Sequence, residues 1–139
     1  MPQARLIIYH KQSTSARLRF LKLSTGSVCC FDPLPKLSQL MDNEPNENLI
    51  LHPAAFVKEA AQRLGMTIDD LEAEGEYRAW VDVPDNTVQI FLVRFTTLDP
   101  PFTVAATQGA EFIELAQARN LPLVELEPLR KAYELVMSG

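Results

Sequence analysis

The chain is short of several things. It has no apolar run near the roughly 18 residues needed to cross a bilayer as a helix. Its longest apolar stretch close to the start is Leu6 to Tyr9, four residues, too few for the core of a signal peptide. A cytoplasmic protein with no membrane partner is the expectation. Cysteine is scarce: only the neighbours Cys29 and Cys30 occur. Adjacent strand residues point to opposite faces, so a disulfide between them would be strained, and a cysteine-built zinc site is excluded. At least one of the pair is expected to be a small core residue. Histidine is as scarce, with His10 and His52 alone, and neither sits in a pattern with a serine or cysteine nucleophile. Positive charge is also short: 13 Lys and Arg against 18 Asp and Glu, a formal charge of −5. That sign opposes non-specific attraction to nucleic acid or an anionic membrane.

What is present suits one domain spanning residues 1–139, since 139 residues with 47% hydrophobic content can bury one core. Residues 5–10 (RLIIYH) and 17–23 (RLRFLKL) read as two strands of a hairpin, with Leu18 and Phe20 inward. A short apolar run, Val28–Phe31, follows as a third strand. From Asp32 to Asn48 prolines, Asn and Asp break the pattern, and a long loop is expected. Residues 53–64 form an amphipathic helix. Pro53 suits its first turn, Phe56, Val57, Ala60, Ala61 and Leu64 make its buried stripe, and Gly65 suits the left-handed position after it. Thr67 with Asp70 caps a short turn over 68–72. Residues 77–83 and 87–95 are a hairpin closed around Pro84–Asn86. The run VQIFLVRF is apolar on both faces, the mark of a central, doubly covered strand. LDPPF ends it, a short strand lies at 111–115, and a last helix over 125–137 turns Leu126, Leu129, Tyr133 and Val136 inward. This order asks for a mixed sheet between helices.

The stretch VKEAAQRLGM, residues 57–66, carries the functional question. It resembles the first half of a helix-turn-helix unit. The following reader helix would then be TIDDLEAEGE, whose acids would face a polyanion, so DNA reading is rejected. The same stretch places Glu59, Gln62 and Arg63 at i, i+3 and i+4 on one helical face, where three carboxylates would aim at one divalent ion. It can also be a plain packed helix with a solvated outer face.

On these residues the chain resembles the Nudix family. KEAAQRLGM resembles the second half of the Nudix box, with Lys58 at the arginine, Glu59 at the next glutamate, Gln62 and Arg63 at the glutamate pair, and Gly65 and Met66 closing it. The surrounding layout, from the first hairpin through GSVCCFDPLPK and YRAWVDVPDNTVQIFLVRF to EFIELAQARNLPL, agrees over nearly the whole chain. The resemblance implies an α/β/α sandwich and, in the family, a Mg²⁺- or Mn²⁺-dependent pyrophosphohydrolase, often dimeric. Here the box is degenerate. Its opening glycine falls on Glu44 and its first glutamate on Ile50, and Arg63 brings positive charge to a metal position. Glu59 is the one box acid left and the candidate metal ligand that the box implies.

A nucleotide-type ligand needs an aromatic plate and a cationic clamp. Arg94, Arg19, Trp80 and Tyr77 are the candidate ligand-binding residues. Arg94 interrupts an otherwise apolar strand and must find a partner or a ligand. The leading expectation is a Nudix-fold protein without catalytic residues or a cofactor, serving as a nucleotide-binding or accessory module with a small-molecule or protein partner. One alternative is a Mg²⁺- or Mn²⁺-dependent hydrolase of nucleoside diphosphate derivatives, with ligands relocated to Glu44, Glu47, Asp99, Glu111 or Glu114. The other is a structural or dimerisation module, for which a homodimer is the expected form.

Overall fold

The fold is taken from a computed structural model, which describes residues 3–35, 37–42, 52–84 and 86–138. Strand β1 (Gln3–Lys11) runs through the middle of one mixed sheet. On one side it pairs antiparallel with β2 (Leu18–Lys22), the expected first hairpin. On the other it pairs in parallel with β6 (Asn86–Phe95), from Gln3 opposite Val88 to Tyr9 opposite Arg94. Strand β5 (Ala79–Val83) forms the second expected hairpin with the first half of β6, while β4 (Leu71–Ala73) pairs with the last residues of β6. Short strands close the edges: β3 (Gln39–Leu40) beside β5, and β7 (Glu111–Ile113) beside β2.

Period-two alternation sends side chains to two separate cores. Leu6 and Ile8 of β1, with Phe91, Val93 and Phe95 of β6, meet helix α1 (Pro53–Leu64). Ile7 and Tyr9, with Val88, Ile90 and Leu92, meet helix α3 (Leu123–Ser138). The central strands are therefore covered on both faces, which is why VQIFLVRF lacks alternation. Helix α1 buries Val57, Ala60, Ala61 and Leu64. Each fully buried Val or Leu contributes about 1.5–3 kcal/mol, so this stripe fixes the helix on the sheet. Gly65 ends it at φ 68°, and the Met66 N–H reaches back to the Ala61 carbonyl.

Five local expectations are corrected. Val28–Phe31 is not a strand; only Cys30 bridges Leu6. The cause is a competing set of partners. The Val28 N–H is donated to the Glu125 carboxylate at 3.1 Å and the Cys29 N–H to Ser27 Oγ at 2.9 Å. Those groups are then lost to a sheet ladder. The third strand in chain order is instead Gln39–Leu40, inside the segment expected to be loop. A helix, α2 (Phe102–Thr107), follows LDPPF on the α1 side of the sheet, with Ala105 buried. The last helix begins at Leu123, two residues before the expected start. The turn at Thr67–Asp70 is capped as expected, with Asp70 Oδ2 accepting from Thr67 N–H and Oγ–H, but residues 71–73 beyond it are β4.

Cys29 and Cys30 lie in opposite cores, one on each face of the sheet. Burial, and then the nearby Glu125 charge, push the Cys30 thiol up to about 12. The same two causes hold Cys29 well above its ordinary range. Neither thiol ionises near neutral pH, so both are packing residues, not nucleophiles.

Candidate functional site

The outer face of α1 carries Glu59, Gln62 and Arg63, the residues on which the Nudix-box resemblance rests. Glu59, Gln62 and Arg63 are all exposed there, one turn apart as the helical period requires. The arginine settles onto its neighbours. Its guanidinium lies 3.3 Å from a Glu59 carboxylate oxygen and stacks 4.8 Å above the Phe31 ring. Its backbone carbonyl accepts a hydrogen bond from Gln108 Nε2 at 3.0 Å, tying the end of α1 to α2. Beside this pair is a pocket of about 120 Å³, floored by Ala4, Leu6 and Cys30 and flanked by Phe31 and Phe56. Arg5 and Asp32 complete its rim, and Arg5 Nε donates to the Asp32 carbonyl at 2.9 Å. Its two cations and two acids cancel. A volume of that size is below the ~300 Å³ where small-molecule sites begin.

A divalent ion asks for several oxygen donors converging on one point. The α1 face offers one carboxylate, one neutral amide and one cation, and the carboxylate is already paired. A dication placed at Glu59 would meet the Arg63 charge within a few ångströms, a repulsion of several kcal/mol at an effective dielectric near 20. The residues present do not fit the metal cluster that the family implies. Among the described residues no three His, Cys, Asp or Glu side chains come together in a way that could hold a metal ion. The acids expected to replace the box ligands have other partners. Asp99 accepts from Gln12 Nε2 at 2.9 Å, Glu111 lies 3.9 Å from Lys22 Nζ, and Glu114 pairs with Arg17 at 2.8 Å. Glu44 and Glu47, with Ile50, are outside the described residues.

The four candidate ligand-binding residues are not gathered in one place. Arg19 and Trp80 lie on the α1 side of the sheet, by alternation with Leu21 and Val81. Arg19 sits over the Phe102 ring, 5.7 Å from its centre, and donates to Gln12 Oε1 at 3.1 Å. Trp80 is half-buried on β5. Tyr77 is in the α3-side core, where its hydroxyl donates to the Pro128 carbonyl at 2.8 Å and so pins α3 to the sheet. Arg94 is opposite Tyr9 on that same face, and its guanidinium pairs with Glu72 across the strand at 3.2 Å. The arginine in the apolar strand has therefore found its partner in β4. Of the histidines, His10 is buried and its Nε2–H donates to the Thr97 carbonyl at 2.8 Å, while His52 is an exposed residue just before α1.

No family model matches the chain, and no curated relative is matched by sequence. Structure carries further. The crystal structure of a C. elegans Ap4A hydrolase superposes with a TM-score of 0.61, over 98% of this chain and 99% of that one. The chain has a Nudix-like fold. Identity with that hydrolase is 18%, so the likeness gives architecture and transfers no residue roles. No helix among the described residues is long and apolar enough to cross a membrane. Phe31, Arg5 and Asp32 had no signal in the sequence that would have joined them to Glu59. They come from the segment around 30–32 and from β1, and only the fold brings them to α1.

Proposed function

We propose that this protein is a Nudix-fold module that binds without hydrolysing, a single domain serving as a nucleotide-binding or accessory unit. The observation that supports this reading is the Arg63–Glu59 pair on α1, with Arg63 stacked on Phe31. Where the family's box would present two more carboxylates, this chain presents an amide and a guanidinium. That cation neutralises the remaining acid and opposes a metal ion. Catalysis by metal-bound water needs the ion first. On this reading no Mg²⁺ or Mn²⁺ is required for folding or for binding.

The test uses the hydrolysis assay appropriate to the structural neighbour. The purified chain is incubated with Ap4A and either Mg²⁺ or Mn²⁺, and products are resolved by chromatography. The expected result is turnover no faster than the protein-free control. Metal-dependent cleavage that disappears in Glu59→Gln would overturn the reading and favour a hydrolase with relocated ligands.

A further inference from the structure

On the α3 face of the sheet a cavity of about 550 Å³ opens between the entry to β2, the segment 114–119 and α3. That volume is inside the ~300–1,000 Å³ range of small-molecule sites. Helix α3 contributes Leu126, Arg130 and Tyr133, at i, i+4 and i+7, so the helical period itself sets an arginine between two apolar anchors. Across the opening, Arg119 follows the tight turn at 115–117. That turn is closed by the Gln117 side chain accepting from Glu114 N–H at 2.8 Å and by Ala118 N–H on the Leu115 carbonyl. Arg17 completes the rim.

The charges decide what this cavity can take. Arg17 is matched by Glu114 at 2.8 Å, and that hydrogen bond holds the Glu114 carboxyl below its usual range, so the acid stays ionised. Arg119 and Arg130 make no ion pair or side-chain hydrogen bond with any described residue. Scattered surface arginines would be unremarked. Here three of the chain's eight arginines surround one cavity with a single acid, in a protein whose acids outnumber its bases. The excess is two positive charges in a concavity with apolar walls.

We propose that this cavity binds a small organic phosphomonoester, with the phosphate between Arg119 and Arg130 and a flat or apolar body against Tyr133 and Leu126. A phosphomonoester carries close to two negative charges at neutral pH, which matches the two unpaired guanidinium groups, and each guanidinium presents a fork suited to phosphate oxygens. A carboxylate would satisfy only one of them. The cavity is on the opposite sheet face from α1, so this assignment does not depend on whether α1 is catalytic.

The full chain, ¹⁵N-labelled, would be titrated with phenyl phosphate, with inorganic phosphate and with benzoate, and amide shifts followed. Saturable shifts at Arg119, Arg130 and Tyr133 with phenyl phosphate are expected. Inorganic phosphate and benzoate should each bind at least about tenfold more weakly. Arg119→Gln and Arg130→Gln, both exposed, should keep the native spectrum and each weaken phenyl phosphate about tenfold. Absence of saturable shifts at these residues up to about 10 mM ligand, an affinity range of only a few kcal/mol, would overturn the proposal. So would equal affinity in both variants. Benzoate binding as tightly as phenyl phosphate would overturn the phosphate assignment, and inorganic phosphate doing so would overturn the role of the apolar body.

Discussion

Two amphipathic helices flank the same sheet, and they spend their charged residues differently. On α1 the one acid points outward and is matched by a cation of the same helix, Glu59 against Arg63 at 3.3 Å. On α3 one acid is buried and wired into the fold, and one arginine is left over beside a cavity. Glu125 is 2% exposed, accepts the Ser27 hydroxyl at 2.9 Å and the Val28 N–H at 3.1 Å, and so fastens the start of α3 to the segment after β2. The lesson is that helical spacing brings charged residues to one face but does not say what they can bind. Binding capacity depends on which charges are left without internal partners. By that measure α1, which resembles a catalytic element in spacing, has the least to offer a metal. The flank of α3, which carries no motif, has two guanidinium groups to spare.

The contrast can be broken first at the two glutamates. Replacing Glu125 by Ala leaves the buried Val28 N–H without its acceptor and the Ser27 hydroxyl with only the Cys29 carbonyl at 3.3 Å. One such orphan costs about 1–3 kcal/mol, so a loss of about 2 kcal/mol is expected in urea unfolding followed by the fluorescence of Trp80, the one tryptophan. Glu125→Gln keeps one acceptor oxygen and should lose less than half of that. The smaller effect is on α1. Glu59 is exposed and its pair with Arg63 is an ordinary i, i+4 surface pair, worth about 0.3–0.5 kcal/mol. Glu59→Gln should therefore shift stability by no more than about 0.5 kcal/mol in the same experiment. Equal losses at the two sites would mean that burial does not separate them and would remove the basis of the comparison.

Much of the architecture was legible in the sequence because it rests on local rules. Pro53, the 56–64 stripe and Gly65 fix both ends of α1, alternation in RLRFLKL identifies a hairpin strand, and unbroken apolarity in VQIFLVRF identifies a central one. What was not legible depended on contacts distant in sequence. Val28–Phe31 has the composition of a strand, but the Cys29 and Val28 N–H groups are claimed by Ser27 and by Glu125, the latter nearly a hundred residues further on. Gln39–Leu40 is a strand only because β5 is there to pair with it. At the site, the spacing of Glu59, Gln62 and Arg63 was plain, yet Phe31 beneath Arg63 was not. Arg94 was marked as needing a partner or a ligand, and its guanidinium pairs with Glu72. The cavity beside α3 had a weak signal in the run Leu126, Arg130, Tyr133. Its other wall, Arg17 and Arg119, is separated from that run in the chain and is joined to it only by the sheet edge.

The central claim is that the box-like face of α1 does not take a divalent ion because Arg63 and Gln62 replace two acids. Amide NMR with added Mn²⁺ tests it directly, comparing the natural chain with the double substitution Gln62→Glu and Arg63→Glu. The account predicts no selective broadening over residues 58–65 in the natural chain. It predicts strong local broadening at those residues in the double variant, at Mn²⁺ concentrations at least about tenfold below any effect on the natural chain. Selective broadening at 58–65 in the natural chain, or a folded double variant that ignores Mn²⁺, would contradict it.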